Sequence, residues 1–157
     1  MNSTSLPSTS ARVERSTDPQ VNEHIRDLSD AEVLRLESAE DAELLLRLQH
    51  LDSEWDIERC LQVNASVLVM LGVFLGTRVD RRFLALPAAV FAFLGQHALQ
   101  GWCPPLPVMR RMGIRTQREI ERERFALKVL RGDFDHLSTS DVPPAQRVRD
   151  VLKAVDS

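Results

Sequence analysis

The sequence predicts an all-α membrane protein: a two-span antiparallel transmembrane helical hairpin with flanking cytoplasmic helices. Three observations predict it. Cys60 to Thr77 and Phe83 to Met109 contain no Asp, Glu, Lys or Arg, although 27% of the 157 residues are charged. Only five residues, "RVDRR" of the short polar turn "TRVDRR", separate these windows. On both flanks, Ser or Thr followed three residues later by an acidic residue marks helix starts.

Met1 to Asp27 is rich in Ser, Thr and charge and has no apolar run, so residues 1–28 are expected to be a disordered tail rather than a secretory signal. Ser29 and Glu32 then read as a capping box, with Leu28 and Val33 as a hydrophobic staple, which predicts a helix from about Asp30. Ser38 with Asp41 precedes "AELLLRLQHL", where Leu44, Leu45, Leu48 and Leu51 form a helical apolar stripe. Residues 29–53 are thus expected to be a cytoplasmic helical segment that covers a neighbour or the membrane surface, with a dedicated partner-binding helix as the alternative.

Residues 54–109 form the expected hairpin, with spans at about 57–77 and 83–103. Ser53 is the expected cap of the first span. From Cys60 the helix is apolar all round, as lipid contact or deep burial demands. Crossing a bilayer takes about 20 mostly apolar residues, and two such windows joined by a short polar turn satisfy their backbone groups internally. A buried hairpin in a soluble bundle is disfavoured, because the rest of the chain has too little apolar surface to cover it. Pro87 falls in the first turn of the second span, where a missing N–H is tolerated. Pro104, Pro105 and Pro107 end that span.

Arg47, Arg59, Arg110, Arg111, Arg115, Arg118, Arg122 and Arg124 flank the spans on the side of the termini, against Arg78, Arg81 and Arg82 in the turn. This imbalance places both termini in the cytoplasm. Thr116 with Glu119 is another capping box and Gly132 a stop, so residues 116–132 are expected to be a charged, solvated cytoplasmic helix. Residues 133–157 are a tail in which Ala145 to Val155 can form a short helix.

Several function classes are excluded or left without support. A net charge of -3 gives no reason to expect nucleic acid. Two cysteines cannot make a disulfide-dense scaffold. No acid–base pair, helped nucleophile or phosphate-cradling loop is visible, so no catalytic residue, enzyme activity or cofactor is expected.

The polar residues within the spans are the candidate site. With the turn centred near Val79 and Asp80, Gln62 lies at the depth of His97 and Asn64 at that of Gly95 and Gln96. Such side chains should turn inward, holding helices in register or lining a polar pathway with His97 as proton carrier or ligand. The first role is preferred, because no charged residue lies in either window. Cys60 and Cys103 both approach the cytoplasmic interface. A disulfide between them is possible but not expected. Metal binding with His97 lacks the usual paired spacing, so no metal ligand is assigned. Cys103, near Arg110 and Arg111, is the candidate functional thiol.

"ERCLQVNASVLVMLGVFLG" followed by "FLALPAAVFAFLGQHALQGWCPPLPVMRRMGIRT" resembles the YgaP-like transmembrane domain, most specifically in Gly101-Trp102-Cys103-Pro104. The resemblance covers about residues 54 to 116. It implies a bacterial inner-membrane hairpin that dimerises, often linked to a rhodanese domain. Residues 1 to 56 hold no cysteine and no strand-rich pattern, so no rhodanese domain is expected and sulfurtransferase activity is not carried over. The combined expectation is a noncatalytic anchor or interaction module partnered by the lipid bilayer and by further copies of itself. The alternative is a conduit for a small solute or sulfur species such as sulfide or thiocyanate, with an unidentified partner in sulfur metabolism.

Overall fold

A computed structural model of the chain describes residues 8–135, 146–149 and 151–152. The start of the expected tail and the stretch around Val142-Pro143-Pro144 lie outside them. All the regular structure described is helical: α1 Arg12–Arg15, α2 Pro19–Arg35, α3 Asp41–Ser53, α4 Ile57–Arg78, a 3-10 turn Arg81–Leu84, α5 Ala85–Gln100, α6 Leu106–Arg111 and α7 Gln117–Leu130. Residues 146–149 and 151–152 are helical as well. Two compact units emerge among the described residues, 8–28 with 54–120, and 29–53 with the residues from 121 onward.

In the first unit α4 and α5 form an antiparallel hairpin. Asp56, not Ser53, caps α4, its carboxylate accepting from the Arg59 amide at 2.7 Å. Ser53 instead closes α3. The buried positions of α4 are Ile57, Leu61, Ala65, Gly72 and Gly76, spaced by four and seven as one face of a helix requires. Facing them are Pro87 and His97 of α5, with Val90 and Leu94 partly buried on the same stripe. Most of the remaining apolar surface is uncovered, including Val67, Met70, Phe74, Phe91 and Leu99. α4, and α5 together with the 3-10 turn before it, are long and apolar enough to cross a membrane.

The second span was expected to run to Cys103, but its helix stops at Gln100 because Gly101 takes the left-handed conformation, φ +79°, and returns its N–H to the His97 carbonyl at 2.8 Å. The prolines that follow do more than end a helix. Pro105 and Pro107 sit at the start of α6, which needs no N–H from them.

The expected disordered tail is corrected by α1 and α2. Asp18 accepts the Gln20 amide through its side chain at 2.9 Å, and Pro19 follows as the first helical residue. The helix therefore starts well before Asp30, and Ser29 lies in its interior. In α1 a single apolar residue, Val13, is buried with Ile57, Leu61, Cys103, Leu106 and Met109. Composition missed this segment because two widely separated apolar anchors, Val13 and Ile25, and several polar contacts hold it in place.

In the second unit Leu36, Leu44, Leu48, Leu51 and Leu127 are buried, while Leu45 of the expected stripe is exposed. The Glu123 carboxylate is buried there, accepting from Ser29 Oγ at 2.9 Å and Arg47 Nε at 2.7 Å. A decoy cap thus becomes a buried hydrogen-bond donor. α7 starts where expected: the Thr116 amide donates to Glu119 Oε2 at 2.7 Å and the Glu119 amide to Thr116 Oγ1 at 3.2 Å. It is not solvated all round, since Ile120, Glu123, Leu127 and Lys128 are buried.

Candidate functional site

The polar contacts of the hairpin gather at its open end, opposite the turn at Val79 and Asp80. His97 is the last buried residue of α5, in register with Pro87, Val90 and Leu94, so an apolar packing stripe delivers an imidazole to the helix interface. Its Nε2 lies 3.0 Å from Glu58 Oε2 on α4. Glu58 falls at helical spacing with Leu61 and Ala65, which turns its carboxylate toward α5. Its other oxygen accepts from Arg12 Nη2 of α1 at 2.7 Å.

An ionised carboxylate can only accept, so Nε2 carries a proton. Nδ1 is buried and has no hydrogen-bond partner of acceptable geometry. The ring's other side-chain neighbour is the Cys103 thiol. Cys103 and His97 are each 4% exposed. Gly101 produces this meeting: it breaks the helix after Gln100 and returns the chain, so that Cys103 comes back against the ring three residues after α5 has ended. Arg12, Glu58, His97 and Cys103 thus form one chain of contacts. Chemically, such a row can orient an imidazole beside a thiol, where the two can exchange a proton.

A groove of about 460 Å³ leads away from Cys103 between α4 and α5, lined by Leu61, Ala65, Leu68, Leu86, Val90 and Leu94, with Pro104 and Pro105 at its mouth. A second groove, about 520 Å³, lies against Trp55, Cys60, Val67, Met109 and Met112. Cys60 and Cys103 are both free thiols and line different grooves.

The four residues singled out in the sequence therefore separate. His97 and Cys103 meet. Gln62 and Asn64, expected to turn inward, are exposed on α4; the Gln62 carbonyl accepts from Ser66 Oγ at 2.7 Å, and Asn64 edges both grooves. The partner of His97 is Glu58, which sits just outside the charge-free window and was not anticipated. Among the described residues no group of three or more His, Cys, Asp or Glu is placed to hold a metal.

Below this end lies a second polar cluster. Arg110, 1% exposed, donates from Nη1 and Nη2 to the two oxygens of Glu119, each at 2.7 Å, and also to the Ile114 carbonyl and to Asn22 Oδ1. Burial pushes the Glu119 carboxyl up, but the Arg110 guanidinium and the Thr116 amide outweigh it and hold the group below its ordinary 4.5. Arg115 forks onto Glu54, and its carbonyl receives the Ile57 amide at 2.9 Å, tying the start of α4 to the turn before α7. Arg110, read from sequence as an interfacial charge, is a buried structural one. No protein-family model, curated protein or solved structure matches this chain.

Proposed function

We propose that this chain is an integral membrane protein whose α4–α5 hairpin crosses the bilayer twice and serves as a noncatalytic anchor and oligomeric interaction module, with both termini cytoplasmic. The observation that carries the reading is the uncovered apolar surface of the two helices. Only 22% and 11% of their most apolar windows are buried, whereas the core helix of a soluble protein would be mostly covered. Trp55 and Trp102 stand half-exposed at the open end, and the Arg59 guanidinium lies 4.4 Å from the Trp55 ring centroid. Aromatic and basic residues together suit a headgroup interface. The excess of arginines on that side supports the orientation, and the resemblance of Gly101-Trp102-Cys103-Pro104 to the YgaP-like domain supports a bacterial inner membrane and a dimer.

A sulfur-species conduit has less to support it. Beyond Ser66 the buried face of α4 offers only Gly72 and Gly76, which press on Pro87 and Leu84. Two measurements test the anchor. The full chain should stay in the pellet after alkaline carbonate extraction. In a Cys60→Ser, Cys103→Ser background, Asp80→Cys should react with an impermeant maleimide on intact spheroplasts and Ser53→Cys only after lysis. Release by carbonate, or the reverse labelling, rejects the reading. Sulfide uptake by proteoliposomes that Cys103→Ser abolishes would replace the anchor with the conduit.

A further inference from the structure

We infer that Cys103 is an acceptor for a long-chain acyl group, carried as a thioester with the carbonyl-proximal half of its hydrocarbon in the groove between α4 and α5 and the remainder on the outer apolar surface. The inference rests on the membrane reading. It joins three independent features of the open end: a thiol lining one end of an apolar groove, an imidazole beside that thiol with an unpartnered buried Nδ1, and a carboxylate that fixes the imidazole from the far side.

The groove selects the occupant. Its lining from Leu61 to Leu68 and from Leu86 to Leu94 is hydrocarbon apart from Asn64 at the edge, and two helical turns give it a length of roughly 10 Å. Its volume of about 460 Å³ lies in the range that takes a small ligand. Leu68 and Phe93, on its walls, are also exposed on the outer apolar surface, so the groove is continuous with the face that meets lipid. A chain entering from the acyl region of the bilayer stays in apolar surroundings throughout. A polar solute gains nothing there. Cysteines at the membrane edge are the usual acceptors of such chains.

The step is redox-neutral. Nδ1 of His97 takes the Cys103 proton, and the sulfur attacks the carbonyl carbon of an acyl thioester of the acyl-coenzyme A class. The bond between that carbon and the donor sulfur breaks, and the proton held by His97 passes to the departing thiolate. One thioester replaces another. The soluble part of the donor remains in water at the level of Trp102, and the reaction ends at one acyl group per chain. Glu58 acts through His97 as a positioning residue. Cys60 is the internal comparison: it lines the other groove, with Asp56 and Arg59 and no imidazole as neighbours.

The test incubates the full chain, in phosphatidylethanolamine–phosphatidylglycerol vesicles, with palmitoyl-coenzyme A bearing a terminal alkyne. The adduct is then located by peptide mass spectrometry before and after neutral hydroxylamine. The expected result is a hydroxylamine-labile acyl group on Cys103, retained in Cys60→Ser and lost in Cys103→Ser. His97→Gln should slow it by about a hundredfold, the size of a general-base contribution, and flatten its pH profile. Glu58→Gln gives a second variant, which should slow the labelling less than His97→Gln does and shift its pH profile, and circular dichroism in the same vesicles confirms the fold of both. No adduct, equal labelling of Cys60, indifference to His97→Gln, or an adduct that thiols remove and hydroxylamine does not, as for a persulfide, overturns the inference. A chain that resists carbonate but takes no acyl group rejects this inference alone. A chain that is acylated but released by carbonate rejects the membrane reading.

Discussion

Gly72 and Pro87 meet across the hairpin so closely that a Cβ on the glycine would stand 2.9 Å from Pro87 Cγ and closer still to Cδ. The proline ring has no free rotor with which to yield, so this contact sets how near the two helices come. Gly72→Leu should separate them and destabilise the hairpin by about 1–3 kcal/mol, the usual cost of overpacking. Gly95, with nothing within 4 Å of its Cβ position, is the comparison, and Gly95→Ala should be tolerated. Thermal unfolding in detergent, followed by loss of helicity, distinguishes the two.

Arg110 and Glu119 form the buried pair beneath the open end. Removing one member strands the other charge away from water, so Arg110→Ala should cost about 3–5 kcal/mol. Arg111, exposed beside it, should be nearly silent when changed to Ala. Equal effects of the two substitutions in denaturant titrations would show that Arg110 contributes only as an interfacial charge.

The same pair predicts an acid limb. Because Glu119 is held below its ordinary 4.5 in the folded chain, its contribution is present above that value and is lost as pH falls through the lower folded one. Stability measured by denaturant midpoint should therefore decline on acidification below about pH 4.5. Glu119→Gln should be less stable at neutral pH and show a shallower acid decline.

Gly101 has two reasons to be glycine. Its φ of +79° strains any side chain, and a Cβ there would lie 2.8 Å from Arg12 Cβ and against the Arg12 carbonyl. Gly101→Ala should cost about 1–2 kcal/mol from the backbone alone. It should also loosen α1, seen as faster tryptic cleavage at Arg12 and Arg15 with the hairpin intact. Unchanged cleavage would mean that α1 is held elsewhere.

What could be read from the chain, and what could not, follows the range of the interactions involved. The charge-free windows, the first-turn Pro87 and the reciprocal Thr116–Glu119 cap are local patterns, and two apolar helices and a cap were found at those places. Ser29 shows the limit of local pattern, since a serine followed three residues later by glutamate looks the same whether it caps a helix or, in mid-helix, serves a buried carboxylate 94 residues away. Glu58 was missed for a related reason. Counting charges defines a span by what it lacks, and the carboxylate that reaches His97 across 39 residues stands just beyond the edge of the count. His97 and Cys103 were singled out because placement did not explain them, but a straight helix would have put them on different faces. Only the left-handed turn at Gly101 brings the thiol back.

The docking of α1 orders events in time. Ser16 Oγ donates to the Gln100 carbonyl and Arg12 pairs with Glu58, so the residues that close the open end are synthesised long before the surfaces they close, 84 residues earlier in the case of Ser16. They leave the ribosome with nothing to bind. The hairpin must be made, and in our reading inserted, before the N-terminal segment has a place to settle. The docking of α1 is therefore among the last steps by which the hairpin end closes.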